Sequence, residues 1–377
     1  MQLDLTDDQA LFRDTSAAFI EAELPVAETR KLHESPAGYD RDWLRRSAEL
    51  GWFAMLVPEA DGGGSVSGRP LIDATIVAEL VGRHVQPGPF IPMNVVAAAI
   101  AAAGTPAQRS ALLPSIVAGE LVATWAVADE RGNWDDGAGL TAVRDGDSVV
   151  LTGSRGCVPE AVTADLLLVT ADLDGRPAQV LVRADAPGVS VRPLTCLDLS
   201  RRMADVEFES VRAGAADILG AGGTAQLRAQ LLVAIALTCA DTVGAIDELV
   251  TRTVAYAKER IAFGRPIGSF QAIKHILADQ ALYLETCKAA AVAVARSVDA
   301  GDPDAAEVAS MAAAYIGDVA CDIAQECLQV HGGTGYAWEH DLHLFLRRVR
   351  SNAALFGEPS WHRERVYRFY EQTGAIR

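Results

Sequence analysis

The apolar positions divide the chain into three stretches by their period. Residues 1 to about 119 carry helical spacing: Leu11, Thr15 and Phe19 recur at i, i+4, one face of a 3.6-residue turn. "DRDWLRRSAELGW" starts another helix after Asp40, a residue type that caps helix N-termini. Gly and Pro cluster at "PEADGGGSVSGRP" and "QPGPFIP" and mark loops. From Leu121 to about Gly223 the pattern changes to short apolar runs between turn signals. "TAVRDGDSVVLTG" reads as a hairpin with Asp145-Gly146 at its turn, and "LLLVTADLDGRPAQVLVRA" as a second near Asp174-Gly175. Valine and other β-branched residues dominate there, as a sheet packed on one face requires. From about Thr224 the helical pattern returns, and 225–258, 269–299 and 303–330 contain no internal proline. The pattern predicts an α+β chain: an N-terminal helical domain over 1–119, a middle antiparallel β domain over 120–224 and a C-terminal helical bundle over 225–377.

Composition narrows the function classes. Lys and Arg number 33 against 50 Asp and Glu, a formal charge of -17. Without a long basic run to offset it, that balance argues against a general nucleic-acid binder. Half of the residues are apolar, which is enough for a large core. The opening "MQLDLTDDQALFRD" lacks the basic and apolar regions of a signal peptide. The runs "LLVAIALTCA" and "NVVAAAIAAA" are too short to span a bilayer. Six cysteines occur singly, with no C-x-x-C pair, so neither a disulfide framework nor a zinc site is expected. A cytoplasmic, metal-free, membrane-free protein is the resulting expectation.

Against this acidic background, Tyr256 to His275, "YAKERIAFGRPIGSFQAIKH", gathers Lys258, Arg260, Arg265 and Lys274. A helix ending near Arg260 meets "FGRPIG", where Gly264 and Gly268 let the chain turn and Pro266 stops propagation. Arg260 and Arg265 suit a phosphate; an ordinary helix–turn–helix with solvated cations fits the spacing equally. A second stretch, "QVHGGTGY" from Gln329 to Tyr336, leaves bare backbone N–H groups that suit a pyrophosphate, or simply ends a helix.

Together and in this order, "RIAFGRPIGSFQAIKHILAD" and, about 60 residues on, "QVHGGTGYAWEHDLHLFLRR" resemble the acyl-CoA dehydrogenase family. The helical, β, helical layout resembles that family over the whole chain. The resemblance implies FAD at a subunit interface. It implies that Arg260, Phe263, Gly264, Gln271, Gln329, Gly332 and Gly333 hold the pyrophosphate and adenosine of a cofactor bound mainly by the neighbouring subunit. It also implies α,β-desaturation of an acyl thioester, with a carboxylate taking the α-proton while hydride passes to the flavin.

The chain departs from the family where that carboxylate belongs. Most members carry it in "Y-E-G-T"; here "RRVRSNAALFGEPSWH" puts Phe356 at the position, with Glu358 two residues on. Other members carry it in an E-R dipeptide, which falls on Ala234-Ile235. Asp241 is the nearest carboxylate in that helix, about 10 Å along the axis, and an Asp near a glycine at a helix crossing can equally be paired structurally. Asp241 and Glu358 are therefore the two candidate bases. On the flavin-facing side the usual "T-E-P" strand reads "AVADERGNWDD" and the second strand "GSRGCVPEAVTAD". Val127, Ala128 and Val158 are left to serve through their backbones, with Pro159 near the usual hydroxyl. His340 and His343 sit in a family-like "W-E-H-D-L-H" segment and suggest packing rather than a metal, and "ADERGNWDDGAG" lacks calcium-loop spacing.

Three functional readings result. One is a dehydrogenase acting on an acyl-CoA or acyl-carrier thioester and passing electrons to an electron-transfer acceptor. A second is a catalytically incomplete subunit of an α2β2 dehydrogenase that contributes the pyrophosphate grip. The third is a flavin enzyme of secondary metabolism. All imply a homo-oligomer or heterotetramer, because a lone chain would expose the loop at Gly332 and the helices around Leu231 and Ile235.

Overall fold

The computed structural model describes residues 5–129, 132–134 and 139–373. Part of the acidic stretch "ADERGNWDDGAG" lies outside the described residues. The N-terminal domain packs α1 (Asp7–Glu23), α2 (Val26–Lys31), α3 (Arg41–Glu49), α4 (Pro70–Arg83), α5 (Phe90–Ala103) and α6 (Pro106–Val117). Local signals set their starts. Thr6 and Gln9 form a reciprocal capping box on α1, and the Asp40 carboxylate accepts from the Asp42 N–H at α3.

The middle domain is one seven-stranded sheet of β1 (Ala123–Ala126), β2 (Leu140–Asp145), β3 (Ser148–Pro159), β4 (Leu166–Leu173), β5 (Arg176–Arg183), β6 (Val189–Pro193) and β7 (Met203–Gly214). Both expected hairpins form. β2 and β3 pair with Asp145 opposite Ser148, and β4 and β5 with Leu173 opposite Arg176. Asp174 and Gly175 both have positive φ, +58° and +77°, the backbone that matches strand twist in a two-residue turn. The sheet is mostly antiparallel; in addition β4 runs parallel to β1 and to the end of β2. Those pairings join segments separated by long connections, so no local turn announces them.

The C-terminal domain is built on α7 (Thr224–Glu259), α8 (Gln271–Asp299), α9 (Ala305–His331), α10 (Leu342–Asn352) and α11 (Pro359–Thr373), with a two-residue-per-strand hairpin, β8 (Ile261–Ala262) and β9 (Arg265–Pro266), between α7 and α8. By length and composition α7 could cross a membrane, but 83% of its most apolar window is buried inside the fold. Leu231 and Ile235, expected on an assembly face, are part of that core at 1% and 4% exposure. Large apolar side chains left on this domain's surface include Phe263, Leu282 and Met311.

Candidate functional site

Two separate constellations take shape. The first is an exposed end of the bundle. α7 stops at Glu259, and Arg260 caps it with its own N–H on the Tyr256 carbonyl at 2.8 Å. The hairpin then turns at Phe263 and Gly264, both with positive φ, which throws the Phe263 ring into solvent, 95% exposed. The Arg265 guanidinium lies over the Phe270 ring, 4.2 Å from its centroid, so Arg265 is a brace for the turn. Gln271 opens α8 and is exposed.

The Gly-rich motif reaches the same place. His331, the last residue of α9, stacks on Tyr256 with centroids 4.1 Å apart and planes 19° apart. This ring pair ties the end of α9 to the end of α7, one turn before Arg260. Gly332 and Gly333 follow directly, and a Cβ at either would meet nothing within 4 Å, so their backbone is open to a ligand. Arg260, Gln271, Gln329 and Gly333 are all exposed, and Arg260 has no carboxylate partner among the described residues. Uncommitted guanidinium, amide and glycine groups fit an anion contributed from outside the chain. Neither Tyr256 nor His331 was singled out from sequence; their aromatic character at the two motif edges was the available signal. His340 and His343 serve packing: His343 stacks on Trp338 at 5.2 Å, and the His340 ring accepts from the Leu342 N–H.

The second constellation is a cleft of about 530 Å³ between the sheet and the C-terminal helices, walled by Trp134, Cys157, Met203, Leu355 and Trp361 with Glu358 at its exposed edge. Its size is that of a cofactor or substrate site, and none of the exposed-end residues lines it. Val127, Ala128 and Val158 do not line it either: each is at most 2% exposed. The Ala128 carbonyl accepts from Gly156 N–H, and Val158 pairs with Ala204 in the sheet. Cys157 and Trp134 line the cleft.

Beneath the cleft lies a buried ion-pair network. Arg348, fully buried, donates from Nε to Asp198 at 2.5 Å, from Nη1 to Asp241 at 3.0 Å, and from Nη2 to Ser200 Oγ and the Gln86 carbonyl. Arg201 adds a 3.1 Å bond to the same Asp241 oxygen, and Asn352 Nδ2 donates to the other at 2.6 Å. Burial alone would raise the Asp198 carboxyl, but Arg348, Arg201 and Ser200 together hold it below the usual range. Two arginines and two aspartates balance. The reading of Asp241 as a base is corrected on this ground: both oxygens are committed, and its negative charge offsets two buried guanidinium groups.

Phe356, at the position expected to carry the base, is 3% exposed with φ +60°. Its ring stacks on Trp125 at 6.2 Å and meets Trp134 at 4.9 Å. Gly357 has φ +120°, and a Cβ there would come within 2.4 Å of the Trp361 ring, so this turn cannot accept a side chain. Behind it lies a small cavity that Leu355 and Arg201 share with the cleft, walled also by Phe356, Gln86 and Glu160. Burial pushes the Glu160 carboxyl up to about 7, against the pull of the Arg202 backbone and guanidinium.

Comparison with known proteins identifies the family. Family models for the acyl-CoA dehydrogenase N-terminal and C-terminal domains match residues 6–120 and 221–370. The chain is 30% identical over 362 residues to the acyl-CoA dehydrogenase IpdE2 of Mycolicibacterium smegmatis, spanning 94% of this chain and 96% of that protein. Among solved structures it resembles a variant of the Tcur3481-Tcur3483 steroid ACAD, with TM-score 0.90 and 28% identity over 98% of this chain and 99% of that one. It also resembles the ChsE4-ChsE5 complex from Mycobacterium tuberculosis, with TM-score 0.88 and 26% identity over 98% of each chain.

Proposed function

This chain belongs to the acyl-CoA dehydrogenase family, FAD-dependent oxidoreductases acting on CH–CH bonds, and we propose that it works in an oligomer whose shared site desaturates an acyl thioester. The observation that carries this reading is the union of Arg260 with Gly332 and Gly333 at one exposed end of the bundle, apart from the cleft. A grip outside its own cleft suits a cofactor seated in a neighbouring chain. Arg260 would bond the FAD pyrophosphate, Gly332 and Gly333 would present N–H groups to it, Gln271 and Gln329 would add amide donors, and Phe263 an apolar face for the adenosine half. When bound, the flavin supplies a hydride acceptor at the cleft. Trp134, Met203 and Leu355 would keep water from the reacting carbons, and an electron-transfer acceptor would complete the cycle. The structural relative named as a steroid ACAD supports a bulky, sterol-derived acyl group on CoA. Six unpaired cysteines support a cytoplasmic setting.

The α-proton needs an acceptor. With Asp241 committed to its arginines, Glu358, at the exposed edge of the cleft, is the remaining candidate of the two. Phe356 favours a second reading: this chain contributes the grip while a related partner chain contributes the base, in an α2β2 assembly. Both structural relatives named above are assemblies of two different chains.

Arg260→Ala tests the grip. Loss of a charge-assisted bond to phosphate should weaken FAD binding roughly ten- to a hundredfold, read by flavin absorbance of the purified oligomer and by FAD titration. Unchanged affinity would remove Arg260 from the site.

A further inference from the structure

We infer that the small cavity behind Phe356 is a receptor for one hydroxyl group carried on the acyl part of the substrate, a reading that rests on the proposed dehydrogenase activity. Two buried oxygens point to it. Gln86 is 1% exposed, and its Nε2 donates to the carbonyls of Leu24 and His84 at 2.8 and 3.2 Å. Those two bonds fix the amide orientation and leave Oε1, on a residue that lines the cavity, buried and without a hydrogen-bond partner. Glu160 is 2% exposed; Oε1 accepts from the Arg202 N–H at 3.0 Å and Oε2 has no partner. Unpartnered buried oxygens are costly and uncommon, and two in the wall of one cavity call for a shared ligand.

The chemistry of that ligand follows from the two groups. The raised Glu160 carboxyl keeps its proton in much of the population near neutrality, so Oε2 acts as a donor. The Gln86 Oε1 atom only accepts. One alcohol oxygen satisfies both, accepting from Glu160 and donating to Gln86. A ketone would satisfy Glu160 alone, and a methylene neither. The room is about 20 Å³, enough for a single oxygen; Phe90, Ile91 and Phe356 give it apolar walls, and Arg201 lies at the side it shares with the cleft. The carbon skeleton therefore stays in the cleft, and only its hydroxyl reaches past Leu355 and Arg201, which line both spaces. Positive φ at Cys157 and Glu160, +48° and +55°, holds the end of β3 in a conformation that fixes the carboxyl's aim.

The test uses the FAD-loaded oligomer and three CoA thioesters of one skeleton: 3-(4-hydroxycyclohexyl)propanoyl-CoA, its 4-oxo analogue and plain 3-cyclohexylpropanoyl-CoA. Binding is measured by calorimetry, without turnover. The expected order is alcohol tightest, ketone intermediate and hydrocarbon weakest, with alcohol and hydrocarbon separated by about tenfold or more. Glu160→Leu and Gln86→Leu should each shrink that ratio, whereas Glu160→Gln, which keeps a donor, should preserve much of it. A structural role alone would change all three affinities together. Equal affinities in the wild type, or a ratio untouched by both leucine variants, would overturn the hydroxyl receptor and leave the dehydrogenase reading standing. If none of the three thioesters binds, the dehydrogenase reading and the receptor fall together.

Discussion

At the scale of single residues, the roles of the carboxylates are decided by partners that spacing cannot reveal. Asp241 looked like the nearest acid to an empty base position, but its partners Arg348 and Asn352 are 107 and 111 residues away in sequence. Asp241→Asn would leave Arg201 and Arg348 short of a counter-charge. It should cost about 3–5 kcal/mol of stability, seen by urea unfolding. A folded, stable but inactive variant would instead restore Asp241 as a base. Glu160 was passed over in the sequence because its burial goes with a partner, Arg202, that lies 42 residues away. Its pH signature can be worked out. The ordinary carboxyl value is 4.5 and the folded value about 7. Below 4.5 both folded and unfolded chains hold the proton. Between the two values only the folded chain holds it, so stability falls as pH rises and levels off above about 7, by about 3 kcal/mol in all. Glu160→Gln has no such proton. Relative to that variant, the wild type should therefore lose about 3 kcal/mol between about pH 4.5 and pH 8, measured by urea unfolding at fixed concentration. Parallel pH profiles for the two proteins would mean that Glu160 is ionised in the fold.

At the scale of elements, local chemistry was legible and close approach was not. The β2–β3 and β4–β5 hairpins announce themselves because Asp-Gly turns between β-branched runs need only neighbours in sequence. The crossing of α4 and α7 does not, because a glycine inside a helix reads only as a weak helix former. Gly82 and Gly244 are where the two helices touch backbone to backbone. A Cβ on Gly82 would lie 1.7 Å from the Asp241 carbonyl oxygen, and one on Gly244 would lie 1.8 Å from the Glu79 carbonyl oxygen. No rotamer relieves a clash with main chain, so Gly244→Ala must push α7 from α4 and disturb the network that Asp241 anchors. The expected cost is about 3 kcal/mol or more, with reduced soluble yield and a lowered melting temperature. A variant melting within a degree or two of the wild type would show that the helices separate freely.

At the scale of the whole molecule, the three-part layout was legible because each part has its own period, while the sharing of sites between chains rests on surfaces. The apolar residues expected to need a partner, Leu231 and Ile235, are buried in this chain's own core. Among the apolar side chains that remain outside are Phe263 at 95%, Leu282 at 64% and Met311 at 49% exposure, all on the C-terminal domain that carries the grip. Exposed apolar side chains on the domain that also carries an uncommitted Arg260 mark surface built for another chain. The assembly should be a dimer or tetramer in light scattering at micromolar concentration, and Phe263→Ser with Leu282→Ser should weaken it while leaving the fold intact by circular dichroism. Flavin content then tells the two versions apart. If the neighbour is a second copy, each cleft must be completed by Trp134 and Cys157, and the purified homo-oligomer should be yellow. If the neighbour is a different chain that supplies the base missing at Phe356, the homo-oligomer should be nearly colourless and should take up flavin on co-expression with that chain. A stable monomer would defeat both versions, because Arg260 and the glycines after His331 would then have no neighbouring cofactor to hold.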